Sequence, residues 1–571
     1  METAINKMMV YEPDSLAGTI EHRLRSMEEE QVNKRIWNGD TTLWKGDEKS
    51  AEIISNSLGW LDVAAKMTSA VPQILQFVQE VRAAGFTHVL VIGMGGNSLA
   101  PLVFERTFET GENGLELSII DTTDPATIHS VERKAPPKKT LYVVSDKSGV
   151  TTETNALADY FYEKIKTITG EKAGSHFVAI TDPGTPLVEK AEELRYRHIF
   201  LNFEDIGDHY SALSHVGMVP AALMGLDVGA LLKRALRMQQ DCRTHTLPSE
   251  NPALQLGAIM GVMARQKRDK LTLVLPDSLS ALGLWLEQLI AASTGKEGKG
   301  ILAITGEALL DPPYYRDDRL FVCLHLNGEK QPEVTEKLRK LTAAGHPLVT
   351  IALEDKFDIA GEFFRWQMAV AVACAILGVN AFDQPNVRES KQRTSQILSK
   401  FEKEGDMPVM NPSVTEGTLT LYTYRNKFDN AAGLLDTFLN AEQGGDYLAV
   451  QAFLTEEPRI DRLLHKLRTT LQKRLKRSTT VAYGPRFLHS TGQYHKAGPN
   501  NGMFIQLTAD DKAETDVPGN TYSFGVLKRA QADGDFTLML THSRRIIRVG
   551  LNRDVYQGLE TLIELITPSK G

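Results

Sequence analysis

The chain has 571 residues, 42% of them hydrophobic and 24% charged, with a net charge of -8. Such a length implies two to four domains, and such a balance implies a soluble globular protein with sizeable cores. An acidic chain with no basic excess is not a nucleic-acid binder, and no apolar run reaches the roughly 18 to 20 residues that span a bilayer.

The N-terminus lacks an apolar core after a basic start, so no signal peptide is expected. The longest apolar candidate, Met368 to Leu377, is short and reads as buried core. The three cysteines, Cys242, Cys323 and Cys374, are far apart, odd in number and without metal-type spacing. A reduced cytoplasm fits them, and a disulfide scaffold is excluded.

Residues 1–85 read as helices, with apolar residues at helical spacing over Ile53 to Met67 and Val71 to Ala84. THVLVIGMGG then runs from an apolar strand into glycines. LELSIIDTT, TLYVVSDKS, HFVAITD and HIFLN follow as strands, separated by helices such as Thr152 to Thr167. Strands alternating with helices predict a parallel sheet covered on both faces over residues 86–228. A second series, LTLVLPD, GILAIT, FVCLHL and LVTIALE, predicts another such unit over 229–400. Residues 400–412 read as a charged, Pro-containing linker. Residues 413–571 read as a small α/β extension with a basic helix, Arg459 to Arg477, whose apolar stripe belongs to a core.

Five loops carry candidate chemistry. Gly93-Met94-Gly95-Gly96-Asn97-Ser98 follows the first apolar strand, where glycines let backbone approach a ligand. Lys147-Ser148-Gly149-Val150-Thr151-Thr152-Glu153-Thr154 offers hydroxyls, a glycine and a helix start, an anion cradle. A plain tight turn and a plain Ser/Thr helix cap are the competing readings. Two such loops on one sheet favour a ligand, which in open α/β sheets sits at strand carboxyl ends. The other three are Asp205 to Ser214, Ser293 to Gly300 and Asn380 to Val387, the last followed by Lys391.

Together these motifs, GMGGxSLAP, KSGxTTET, IGxxYSALSxxG, EQLIAxSTGKEGKG and NxFDQPNVxxxK, resemble the phosphoglucose isomerase family over about residues 35–395. The C-terminal GPRFLHSTGQYHKAGPNNG is similar to the branch fused behind a bacterial transaldolase. The resemblance implies two doubly wound sugar-isomerase (SIS-type) subdomains, a homodimer, a sugar or sugar phosphate as ligand, and neither cofactor nor metal. It also implies aldose–ketose isomerisation through an enediol(ate), with a glutamate base, an arginine beside the developing charge and hydroxyls on the phosphate.

On that pattern Gly95, Gly96, Lys147, Ser148, Thr151 and Thr154 keep the substrate-binding loops, and Gln384 and Lys391 match residues near the sugar. The base position is Ala292, the arginine position is His209, and the serines after the paired glycines and before Lys147 are Asn97 and Asp146. Alanine transfers no proton, and a carboxylate beside a phosphate repels it. His209, Asp146 and Glu287 are the candidate replacement groups, with His209 and Asp146 a possible acid/base pair. Glu287 lies about 140° around its helix from Ala292. His489 and His495 of the C-terminal segment could approach the site, but such histidines are more often hydrogen-bonded in packed loops, and Trp366 reads as core. The expected function is an isomerase acting on a hexose phosphate or a hexose altered at C6. The competing one is a sugar-phosphate-binding sensor or subunit without turnover.

Overall fold

The computed structural model describes residues 8–11, 14–424 and 428–567. Strand β1 (Met8–Tyr11) precedes a set of helices that ends with Val63–Ala83. The stretch expected as one helix over Ile53 to Met67 is broken between Ser55 and Val63. Gly59 sits at the break, its N–H donating to the Asp205 carbonyl at 2.8 Å. A side chain there would stand 2.2 Å from Asp205 Oδ1, so any larger residue would have to displace that carboxylate.

Five parallel strands follow, β2 (His88–Gly93), β3 (Glu116–Ile120), β4 (Thr140–Ser145), β5 (Phe177–Thr181) and β6 (His198–Leu201), in the order β3-β2-β4-β5-β6. Every residue of β4 and β5 is buried, as expected for strands covered by helices on both faces. The second unit holds β7 (Lys270–Val274), β8 (Leu302–Ile304), β9 (Arg319–Leu326) and β10 (Leu348–Leu353), ordered β8-β7-β9-β10. β1 pairs antiparallel with β10 and closes that edge. The N-terminal segment is therefore not wholly helical.

Helix Pro385–Glu404 runs through the expected boundary at 400. The C-terminal unit contains β11 (Val414–Glu416), β12 (Leu419–Tyr422), β13 (Tyr447–Phe453), β14 (Ser478–Tyr483), β15 (Gly502–Thr508) and β16 (Arg545–Gly550). Its parallel strands lie in the order β14-β13-β15-β16. All three sheets thus place their first four parallel strands second, first, third, fourth.

The first two units share one apolar core, which includes Val91, Leu289 and Trp366, and the third has its own, built on Val450, Leu464 and Ile505. Helix Ile359–Leu377 lies at the centre of the shared core. Over 356–377 it is long and apolar enough to cross a membrane, yet 94% of its apolar window is buried in the fold. Helix Pro252–Arg265 crosses it closely. A Cβ on Gly257 would meet the Ala369 carbonyl at 2.5 Å, and one on Gly261 would meet Ile376 Cβ at 2.8 Å. In the C-terminal unit the basic helix spans Pro458–Leu475 and buries Ile460, Leu464, Leu467 and Leu471. Its Arg468 turns inward and donates to the carbonyls of Thr479 and Thr305, tying the third unit to the second.

Candidate active site

In a sheet of this order the strands on either side of the first strand run off in opposite senses, and the crevice lies outside the carboxyl ends of β2 and β4. The two glycine-containing loops leave from those ends. After β2 the chain turns through Gly95, at φ 63°, into helix Gly96–Thr107. A Cβ on Gly96 would stand 2.1 Å from the Asp208 carbonyl oxygen, so backbone packs on backbone there. The Gly96 N–H donates to Asp208 Oδ2 at 3.0 Å and Asn97 Nδ2 donates to Oδ1 at 2.7 Å. Asn97 Oδ1 accepts from Ser145 Oγ at 2.9 Å. Burial pushes the Asp208 carboxyl up.

After β4 the cradle closes on a side chain of the protein itself. Asp146 Oδ1 accepts from the Ser148 N–H, Ser148 Oγ and Thr151 Oγ1, each at 3.1 Å. Its Oδ2 accepts from the Thr151 N–H at 2.8 Å. Lys391, on helix Pro385–Glu404, donates to Thr151 Oγ1 at 3.2 Å. Lys147 is engaged elsewhere, with the Asp182 carboxylate and the Glu204 carbonyl. Thr154 is fully buried and its hydroxyl has no hydrogen-bond partner.

His209 and Asp146 do not pair with each other. His209 Nε2 lies 3.2 Å from the Ala381 carbonyl, and Gln384 Nε2 lies 2.7 Å from His209 Nδ1. Burial, reinforced by the Lys296 ammonium, pushes this imidazole down to about 3. The ring is therefore neutral, donating through Nε2 and accepting at Nδ1, and supplies no charge in place of an arginine. Lys296 is itself buried, 2.9 Å from Asp383. Ala292 is completely buried on helix Ser280–Thr294. On that helix Glu287 accepts from the Thr305 N–H at 3.1 Å, and burial pushes its carboxyl up to about 7. That contact places it at the turn after β8, beside Arg468 of the third unit.

The C-terminal unit covers the crevice. Arg486 donates twice to the Asp121 carboxylate at the end of β3, both at 2.8 Å. Lys528 reaches Asp124 at 2.8 Å and Gln531 accepts from Thr123 Oγ1 at 2.8 Å. Gln288, next to Glu287, donates to the His489 carbonyl at 3.0 Å. The His489 ring enters the crevice, with Nε2 2.8 Å from Glu153 Oε1, and Gln531 Nε2 donates to the same oxygen at 2.6 Å. Burial works to raise the Glu153 carboxyl, but the His489 ring and the Lys391 ammonium outweigh it and hold it at about 2. An ionised carboxylate only accepts, so His489 donates through Nε2. The void between Glu153, Lys391, His489 and Gln531 is about 20 Å³. His495 instead pairs with Tyr447 Oη at 2.9 Å, inside the third unit.

Sequence reasoning missed Asp208 and Gln531, named His489 only as a histidine that could approach the site, and read Glu153 only as a first-turn acid of its helix. Asp208 had a signal: it stands where the GGRYS-type motif has its second glycine. The contacts of His489 and Gln531 with Glu153 had none, since 336 and 378 positions separate them from it.

Doubly wound α/β units with glycine and hydroxyl loops at the switch point place the chain among the α/β proteins that bind small ligands at strand carboxyl ends. A family model for phosphoglucose isomerase matches residues 48–304. A glucose-6-phosphate isomerase of Gloeothece citriformis is 31% identical over 436 residues, 67% of this chain and 81% of that protein. A probable glucose-6-phosphate isomerase of Methanococcus maripaludis is 26% identical over 439 residues, 67% of this chain and 95% of the relative. Among solved structures, a hypothetical protein from Thermus thermophilus superposes with a TM-score of 0.57 at 23% identity, over 68% of this chain and 99% of its own, a likeness of fold. The chain belongs to the phosphoglucose isomerase family.

Proposed function

We propose that the chain is an aldose–ketose isomerase of the phosphoglucose isomerase type, working through an enediol(ate) at the crevice outside β2 and β4. The observation that carries this reading is the buried His489–Glu153 contact of 2.8 Å beside Lys391. Isomerisation needs one group that moves a proton between adjacent carbons and one cation near the oxygen that gains charge. Ala292 removes the family's base and neutral His209 removes its cation. His489, oriented by Glu153, takes the first role and Lys391 the second. Gln384 holds His209. The ligand is a hexose or hexose derivative, and a homodimer is the expected assembly.

A second reading, a sugar-binding subunit without turnover, is favoured by one observation. The void of about 20 Å³ holds about one water, whereas ligand pockets run from roughly 300 Å³. On the isomerase reading the C-terminal segment that carries His489 withdraws to admit substrate.

Proton exchange in D2O separates the two. Incubation with a panel of hexoses and hexose 6-phosphates, followed by NMR, gives deuterium at C2 of one sugar if the chain is an isomerase, and His489→Ala abolishes the signal. Binding of a sugar with no exchange selects the subunit reading.

A further inference from the structure

We infer that the ligand of this crevice is a hexose with no anionic group on C6, because the carboxylate of Asp146 already occupies the cradle that would hold it. This rests on the crevice being the sugar site proposed above and names the class of sugar it takes.

A phosphate cradle works by presenting N–H and O–H donors to anionic oxygens. Here two amides and two hydroxyls, from Ser148 and Thr151, all point at Asp146. A carboxylate has about four lone-pair sites, and these four donors fill them. The ordinary explanation for such an aspartate is a turn-forming and helix-capping residue, which needs only the two amides. Both hydroxyls turn inward as well, so none of these four donors is left for a ligand. The residue that takes this place is buried, at 4% exposure, so it is held in the cradle and not displayed beside it.

The surrounding charges point the same way. Lys147, the nearest lysine in sequence, is neutralised by Asp182. Asp208 takes the free amide of the opposite loop, at Gly96. Glu153 stands on the same helix start as Thr151 and is ionised. Lys391 faces this group as the remaining ammonium. A phosphate or sulfonate entering here meets resident carboxylates where its counter-charges should be, and burial strengthens that repulsion. A neutral C6 hydroxyl or methyl group meets no such cost.

Any hexose requires the crevice to open beyond its present void, and that cost is common to charged and neutral sugars, so it cancels in a comparison. The experiment is an NMR titration of the full-length chain with D-fructose, fructose 6-phosphate and 6-deoxy-6-sulfofructose, repeated on Asp146→Ser and Asp146→Asn. Both variants remove the charge, and Asn keeps an acceptor for the turn should Ser unfold it. The expected result is wild-type binding of fructose that is tighter than binding of either anion. Either variant then raises affinity for fructose 6-phosphate on the order of 100-fold, leaving fructose within about threefold. Tighter wild-type binding of an anionic sugar, no gain in either variant, or no wild-type binding of any sugar overturns the inference. Deuterium exchange on the same samples separates it from the isomerase reading. Fructose binding without exchange sinks the isomerase and leaves the C6 inference standing, whereas exchange confined to the phosphorylated sugar does the reverse.

Discussion

Glu153 Oε1 and His489 Nε2 lie 2.8 Å apart although 336 residues separate them in the chain. The first stands at the start of the helix after β4, the second on a short turn of the C-terminal unit, and both are buried. The contact joins the helix start after β4 to the unit that covers it, so the crevice is complete only when the third unit is docked.

The pair has a pH signature. The Glu153 carboxyl is held at about 2 in the folded state against an ordinary 4.5. A depressed carboxyl stabilises the fold fully above its unfolded value, and that contribution is lost as pH falls from about 4.5 through about 2. It amounts to about 3 kcal/mol. Chemical denaturation between pH 2 and pH 6 checks it: Glu153→Gln removes this part of the pH dependence, and an unchanged curve contradicts the pairing.

His209 gives a second window. Its imidazole is pushed down to about 3 from an ordinary 6.5. The unfolded chain binds the proton more readily, so stability is full above about 6.5 and declines as pH falls toward 3. His209→Gln flattens that decline. Restoring the family's residue with His209→Arg buries a cation beside Lys296 and costs about 3 kcal/mol or more, seen as a fall in Tm.

Arg486 ties the third unit to the first through two hydrogen bonds to Asp121. Arg486→Ala leaves the 3% exposed Asp121 without its bidentate partner and costs about 3 to 5 kcal/mol. Hydrogen exchange should quicken in the loop after β3 and in residues 486–495 together. Faster exchange in one alone would show that the two surfaces do not open as a unit.

Gly96→Ala tests the contact between the loop after β2 and the Asp208 turn that follows β6. The added methyl meets the Asp208 carbonyl at 2.1 Å, and backbone cannot swing aside as a flexible side chain does. The substitution costs about 1 to 3 kcal/mol, measured by denaturant unfolding. Gly298→Ala is the reference: its Cβ meets nothing within 4 Å, and its loss reflects only the strain of φ 71°.

The strand runs THVLVIG, TLYVVS and HFVAIT have continuous apolar centres because their strands are covered on both faces, so the parallel strands of the first unit were legible from the sequence, whereas β1, added to the edge of the second sheet, was not. The glycine and hydroxyl loops were legible too, since a strand that ends in glycines or in Ser and Thr announces backbone free for a ligand. Ala292 and Asp146 could be read as departures from a pattern at single positions. What remained hidden was everything set by contacts between distant segments. That Asp146 fills the cradle depends on the turn of Ser148 and Thr151 around it. That His209 is neutral depends on burial against Ala381, Gln384 and Lys296. That His489 meets Glu153 depends on how a third sheet docks on the first. Local sequence governs backbone periodicity and turn chemistry over a few residues. The partner of a buried charge is chosen by the packing of whole units, and only the tertiary structure decided it.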